Sequence, residues 1–555
     1  MAEALWHQLA AQPATTPVAP LTAAPAPPLT ITREAVRAAE TLAGLQFSDP
    51  ERDLMLGLLQ RHLGSYGDLR LVELPNSVLP ALRFSPALPG RTFPDRPRRP
   101  GRRVRSSQVV KRPATNAELA FLPVVQLAEL LASRQVTSVE LTRLYLDRLK
   151  RYDPVLNCVV NLTEERALRQ AAAADHLIST GQKRGPLHGI PYGVKDLLAV
   201  PGYPTTWGAE IYRDRILDQT ATVVERLDAA GAVLVAKLSM GELGHSDTWF
   251  RGTTMNPWQP TQGASGSSAG SAAAAAAGLV GFAVGHETLG SIITPATRNR
   301  ITGLRPTFGR VSRHGAMVLA WSLDKIGPMA RSVEDCAMVL DAIVGPDGRD
   351  PTVTDMPFDW DPDFPLRSIR VGYFKAAFDA PHDSKVRDDA ALAALRELGF
   401  QLVPVNLPTD LPINALTMVG VEIAAALDEF TRNGGLDLLR DQSDTGWPNF
   451  VRASRFVPAV EYLQANRIRT LLMERIEDVF ESVDVFIAPT FGVLRVTSFT
   501  GHPAIVLPNG TISDGVPASI SLIGRLYGEQ ELCTVARAWQ DRTGWHKLQP
   551  RGFAD

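Results

Sequence analysis

The sequence has little cysteine, almost no net charge and no long hydrophobic run. Its 555 residues include only three cysteines, Cys158, Cys336 and Cys533, far apart and without a C-x-x-C spacing. That excludes a disulfide framework and a thiolate zinc site, and leaves buried structural thiols. Acidic and basic side chains nearly cancel, 59 against 57, for a formal net charge of -2. The global electrostatic case for nucleic acid or an anionic membrane surface is thereby removed. The longest strongly apolar stretch, Ala272 to Val284, runs 13 residues, short of the about 20 needed to cross a bilayer. It reads as a buried helix leading into a strand. No segment repeats at a period of about 20 to 50 residues, which argues against a solenoid or propeller. Glycine and proline, 43 and 42 residues, stay below the roughly 25% at which aperiodic chains read as disordered. The amino terminus shows no basic region followed by a leucine-rich core, so no secretory signal is visible and a cytoplasmic location is expected.

What is present divides the chain into three parts. Residues 1–29 carry six prolines among Ala and Thr, too little apolar surface to hold a fold alone, and read as a flexible arm. Residues 30–114 form an amino-terminal helical extension and a linker. In it, Val36, Ala39, Leu42 and Ala43 have helical spacing after Thr32, then Ser48-Asp49-Pro50-Glu51 supplies a capping signal ahead of Met55, Leu58, Leu59 and Leu63. The linker is rich in Pro and Arg, from Arg96 to Arg105, with Phe93 the one aromatic nearby, so it reads as a solvated segment and not a nucleic-acid site. Residues 115–555 form a long domain that opens with a helical pattern capped by Thr137 and Glu140. Strand-like runs at 231–236, 281–285, 369–373 and 483–488 then alternate with helical ones. This alternation predicts an α/β fold, a sheet between helices.

Three stretches carry chemistry. Gly263 to Ala272 contains only Gly, Ala and Ser and runs into an alanine helix. Side chains this small fill little volume, but they let a backbone approach a neighbour closely and add hydroxyls without bulk. Its Gly266-Ser-Ser-Ala-Gly270 formally matches the nucleophile elbow G-x-S-x-G, yet no apolar strand precedes it, so the context fails. The second stretch, Gly285-His-Glu-Thr-Leu-Gly-Ser-Ile-Ile-Thr-Pro-Ala296, follows a strand-like run directly. A strand ending in a loop exposes successive N–H groups, the donors an oxyanion requires. The third, His188 to Leu198, places Lys195 in an otherwise apolar segment.

Together these stretches resemble the amidase signature family. The resemblance runs from about Leu122 to Leu548 and includes Thr206-Trp-Gly208, Gly303-Leu-Arg-Pro-Thr307, Asp324-Lys-Ile-Gly-Pro-Met329, Ala488-Pro-Thr490 and Thr500-Gly-His-Pro-Ala504. It implies one large mixed β-sheet covered by helices on both faces, with the amino-terminal helices packed outside it. By motif, it implies that Lys195 is the general base, Ser267 the bridging serine in a cis peptide, and Ser291 the nucleophile. Backbone amides of Thr288, Leu289, Gly290 and Ser291 would form the oxyanion hole, and the Ser268 hydroxyl would help hold Lys195. The activity expected is hydrolysis of a carboxamide C–N bond through an acyl-enzyme on Ser291, extending to esters and carbamates, with no metal or cofactor. A lysine base fits the chemistry only when neutral, which burial among Ile190, Val194, Leu197 and Leu198 would favour.

The chain departs from the family where His286-Glu-Thr-Leu-Gly-Ser-Ile-Ile293 stands for the usual Thr-Asp-Thr-Gly-Gly-Ser-Ile-Arg. Leu289 replaces a glycine and demands an ordinary φ, and Ile293 removes a positive charge. A small amide or ester with an apolar group is therefore the expected substrate of a monomer or homodimer, with no nucleic-acid or membrane partner. Trp207, Met240, Trp249, Phe250, Ile293 and Trp447 are candidates for its apolar wall, against the alternative that they are ordinary core residues. Arg298 and Arg300 follow the loop closely in sequence and are expected to point elsewhere. Two rivals remain: the glutamine-hydrolysing subunit of a transfer-RNA amidotransferase, and a family member that only binds ligands. The intact Lys195, Ser267 and Ser291 argue against the second.

Overall fold

A computed structural model describes residues 30–69, 71, 75, 78, 82–88, 93, 110–512 and 515–553. The arm expected over 1–29 and the arginine run from Arg96 to Arg105 lie outside the described residues. The chain forms two compact units. One holds the described residues up to Pro75 together with Ala424–Pro458, and the other the described residues of 76–423 and 459–553. Residues 424–458, which the sequence pattern assigns to the long domain, thus group with the amino-terminal helices.

In the first unit, α1 (Arg33–Ala43) and α2 (Asp49–Leu69) are the predicted hairpin. The Thr32 hydroxyl accepts the Ala35 N–H, Gly44 ends α1 at φ +65°, and Glu51 accepts from both the Ser48 N–H and hydroxyl. A buried Arg52–Glu40 ion pair at 2.7 Å joins the two helices.

The second unit is built on eleven strands in one mixed sheet with helices on both faces, the architecture that the sequence implied. In chain order they are β1 (Val159–Leu162), β2 (Pro191–Lys195), β3 (Val233–Leu238), β4 (Phe282–Glu287), β5 (Thr302–Arg305), β6 (Lys325–Ala330), β7 (Val371–Phe374), β8 (Val403–Val405), β9 (Val485–Pro489), β10 (Ala504–Thr511) and β11 (Pro517–Gly524). Their order across the sheet is β1-β3-β2-β4-β6-β5-β10-β11-β9-β7-β8. β2 runs parallel to both β3 and β4, and β4 runs antiparallel to β6. The four runs predicted as strands are β3, β4, β7 and β9, each shifted by one or two residues.

Two of the helices of this unit bear directly on the site, α3 (Ala269–Ala276) and α4 (Ile293–Arg298). Every residue of α3 is buried. Its small side chains allow a close approach to the sheet: a Cβ on Gly270 would lie 2.5 Å from the Ser239 nitrogen. The predicted succession of buried alanine helix and strand is therefore observed in α3 and β4. All three cysteines are buried free thiols. Among the described residues, no helix is long and apolar enough to cross a membrane, and no group of three or more His, Cys, Asp or Glu side chains could hold a metal ion.

Candidate active site

The parallel neighbours β2 and β4 end side by side, and the chemistry gathers at their carboxyl ends. Lys195 is the last residue of β2 and is fully buried. Its Nζ lies 2.7 Å from Ser267 Oγ and donates a second bond of 3.2 Å to the His286 carbonyl on β4. Ser267 sits in the glycine-serine loop ahead of α3, and the Gly266–Ser267 peptide is cis. Lys195 and Ser267, distant in sequence, thus meet in space.

Burial removes the solvation of an ammonium group and pushes the Lys195 pKa down to about 7, although the carboxylates of Asp324 and Glu287 pull it upward. Burial likewise holds the His286 imidazole below its ordinary value, against the pull of Asp324. Its Nε2 is 3.5 Å from Asp324 Oδ2, beyond good hydrogen-bond length.

Ser268 meets Lys195 through a shared partner, the His286 carbonyl. Its hydroxyl donates to the His286 carbonyl at 3.1 Å and accepts the His286 N–H at 3.2 Å. The same carbonyl accepts from Lys195, so Ser268 fixes the peptide against which the lysine rests.

Ser291 lies in the turn between β4 and α4, partly exposed. Its carbonyl accepts the Ser268 N–H at 3.2 Å, which ties this turn to the glycine-serine loop. Among the described residues, the N–H groups of Leu289, Gly290 and Ser291 donate no hydrogen bond. Gly290 adopts φ +91°, the one left-handed position of the turn, whereas Leu289 keeps an ordinary φ as its side chain demands. Thr288 is fixed from the side, its hydroxyl donating to Asp324 Oδ1 at 2.7 Å. The other Asp324 oxygen accepts the Leu319 and Ala320 N–H groups at 2.8 and 3.1 Å.

Two buried ion pairs brace the cluster. Glu287 Oε2 accepts the N–H groups of Ile292 and Ile293 at 2.9 and 3.1 Å, while Oε1 pairs with Arg305 Nη1 at 3.0 Å. Behind Lys195, Asp196 pairs with Lys237 at 2.8 Å, both fully buried, and accepts the Thr206 N–H at 2.9 Å. The Glu287–Arg305 and Asp196–Lys237 pairs join separate segments and are not recognisable from sequence spacing, whereas Glu287 meets the Ile292 and Ile293 amides within its own turn.

A cavity of about 700 Å3 opens beside this cluster, lined by Asp247, Gly266, Thr294, Arg298, Phe491 and Val516 among others. None of the candidates for an apolar wall is among the residues named as lining this cavity. Met240 and Trp249 are fully buried, and the Trp249 indole N–H donates to the Asn157 carbonyl at 3.2 Å. Ile293 is packed in the hydrophobic core. Trp207 is half-buried beneath the Arg215 guanidinium, 3.7 Å from its ring centroid. Phe250 packs edge-on against Trp249, and Trp447 belongs to the other unit, stacked on Phe450. In their place Phe491, 62% exposed, and Val516, 45% exposed, supply apolar surface. Residue type alone could not separate these roles, since core packing and ligand contact call for the same side chains.

Known proteins resemble this chain in sequence and in fold. The profile of the Amidase family matches residues 140–498. The chain is 36% identical over 490 residues to a glutamyl-tRNA(Gln) amidotransferase subunit of Chloroflexus aurantiacus, covering 78% of this chain and 99% of that one. Its structure superposes on the peptide amidase of Stenotrophomonas maltophilia with a TM-score of 0.70 at 30% identity, over 78% of this chain and 98% of the other. A bacterial aryl acylamidase of the amidase signature enzymes shares the fold, with a TM-score of 0.67 at 24% identity, over 77% and 97% of the two chains. With this match across most of its length, the chain belongs to the amidase signature family.

Proposed function

We propose that the protein is a serine-dependent hydrolase that cleaves carboxamide C–N bonds through an acyl-enzyme on Ser291. One observation carries the reading: a fully buried lysine amine 2.7 Å from the Ser267 hydroxyl, beside the turn that bears Ser291. Serine attacks a carbonyl only when a base removes its proton. At the ordinary lysine pKa about one molecule in a thousand would be neutral near pH 7.5, but at about 7 most Lys195 is neutral there.

In the proposed sequence, Ser291 Oγ attacks the carbonyl carbon and its proton passes to Ser267 Oγ, while the Ser267 proton passes to Lys195 Nζ. The oxyanion that forms meets the N–H groups of Leu289, Gly290 and Ser291, with Thr288 beside them, donors already fixed in place. Collapse breaks the C–N bond, and the leaving amine takes its proton back along the same path. Water then repeats the steps on the ester and releases the acid. No metal or cofactor enters this chemistry.

The pH dependence follows from the direction of the Lys195 shift. Below a pKa of about 7 the amine is protonated and cannot accept the serine proton, so kcat/KM is expected to rise through neutrality and level off above about pH 8. A kcat/KM profile measured from about pH 5 to about pH 10 checks it. A flat profile through neutrality would contradict a lysine base of this pKa.

One observation favours a second reading. Asp247 and Arg298 both line the cavity, and a glutamine site needs ionic partners for a charged α-amino and α-carboxylate group. The identity to glutamyl-tRNA(Gln) amidotransferase subunits points the same way. Against it, Phe491 and Val516 give the cavity an apolar wall suited to an uncharged group. The purified chain alone is therefore expected to hydrolyse aromatic or aliphatic carboxamides, or activated esters, faster than it releases ammonia from glutamine. Glutamine as the best substrate, or activity only with added partner subunits, would favour the amidotransferase reading.

A further inference from the structure

We infer that Thr294 is a positioning residue that sets the approach of the Ser267 and Ser291 hydroxyls, a role that rests on the serine-hydrolase reading above. Two hydrogen bonds connect the bridging-serine loop to the turn that carries Ser291, one on either side of Ser267. After it, the Ser268 N–H donates to the Ser291 carbonyl at 3.2 Å. Before it, the Thr294 hydroxyl donates to the Gly266 carbonyl at 2.7 Å. The first is backbone to backbone and would form with any side chains. The second depends on a single hydroxyl.

Thr294 is well placed for the task. It stands in the first turn of α4, and its N–H donates to the Gly290 carbonyl at 2.8 Å, so it is anchored to the oxyanion turn itself. Gly266 is held from other directions as well. A Cβ at Gly266 would fall 1.6 Å from the Ser246 carbonyl oxygen, so that carbonyl abuts its Cα. The preceding Ser265 N–H donates to Asp247 Oδ2 at 2.7 Å. The Ser267 carbonyl accepts the Gly241 N–H at 3.2 Å. These contacts fix the loop to the 241–247 segment, whereas the Thr294 and Ser268 bonds hold it toward Ser291 on either side of Ser267; farther from Ser267, Arg298 Nε and Asn299 Nδ2 donate to the Gly263 and Ala264 carbonyls at 3.3 and 2.8 Å. Proton transfer between two hydroxyls requires hydrogen-bond reach, and a displacement of about 1 Å can cost a hundredfold in rate.

Thr294 also borders the cavity, so substrate contact is the competing role, and the two roles predict different kinetics. A positioning residue acts on kcat and on the reactivity of Ser291, whereas a uniform substrate contact acts on KM. The experiment compares Thr294→Val, Thr294→Ala and Thr294→Ser in the full chain with the best amide found, together with the rate of fluorophosphonate labelling. Both hydroxyl-free variants are expected to lose about ten- to a hundredfold in kcat and in labelling rate, with KM within about threefold. Thr294→Ser should recover most of both. The ascending limb in pH should stay where it is, since Lys195 keeps its surroundings. Unchanged kcat and labelling in Val and Ala, a loss confined to KM, or a Ser variant as poor as Ala would each overturn the inference. Ser291→Ala run alongside separates this from the underlying reading: turnover that survives in it would remove the hydrolase mechanism itself.

Discussion

Replacing Ser291 with alanine should abolish hydrolysis and fluorophosphonate labelling while leaving the fold intact. Ser291 is the one hydroxyl on the turn between β4 and α4 that is both partly exposed and adjacent to free N–H groups. Its side chain makes no hydrogen bond among the described residues, so removing it disturbs no polar contact. Lys195→Ala and Ser267→Ala should each cost several orders of magnitude in kcat, and the triple variant little more than the worst single one, because members of such a unit are strongly non-additive. Mass spectrometry of the labelled protein and stopped assays at high enzyme concentration provide the readouts. Labelling that persists in Ser291→Ala would place the nucleophile elsewhere.

Arg305→Met is expected to be the most damaging single change for stability outside the catalytic residues. Arg305 is fully buried and donates to Glu287, Thr497, Ser498 and the His502 carbonyl. Without it, Glu287 remains as a buried carboxylate whose other oxygen still orders the Ile292 and Ile293 amides. Breaking a buried pair from one side typically costs about 3 to 5 kcal/mol, most of it the penalty of the stranded charge. Denaturant unfolding should show that loss in the midpoint, and activity should fall with it because Glu287 shapes the turn after Ser291. Adding Glu287→Gln should recover part of the stability. A single variant as stable as the parent would mean that water reaches Glu287 and that the pair contributes little.

Local signals were legible wherever the chemistry is local. Thr137 with Glu140 forms the predicted capping box, in which the Glu140 N–H donates to the threonine hydroxyl at 3.0 Å. The continuous apolar run at 231–236 is the fully buried β3. β6 was not legible, because Lys325-Ile-Gly-Pro-Met-Ala330 contains three residue types that rarely occupy a central strand. It is tolerated there because Pro328 has a paired neighbour on one side only: β4 pairs along Lys325 to Met329, but β5 meets β6 only at Met329 and Ala330. In the site, Lys195, Ser267 and Ser291 could be named from motifs, and the geometry brings the first two within 2.7 Å. Asp324, Arg305 and Thr294 lie within the motif stretches, but their supporting roles were not legible, since their side-chain partners Thr288, Glu287 and Gly266 come from other stretches. Arg298, expected to point elsewhere, lines the cavity beside Phe491 and Val516.

The pairing of β2 with β4 has a consequence for what counts as intact protein. These strands are parallel neighbours drawn from distant parts of the chain, with β3 and α3 between them in sequence. Non-local pairings of this kind form late, after helices that need only their own residues. A preparation whose helices have formed but whose central strands have not closed would pass a far-ultraviolet circular dichroism check and still be inert. If Ser291 is the nucleophile as proposed, titration of its reactivity, rather than helical content, is the measure of the native fraction.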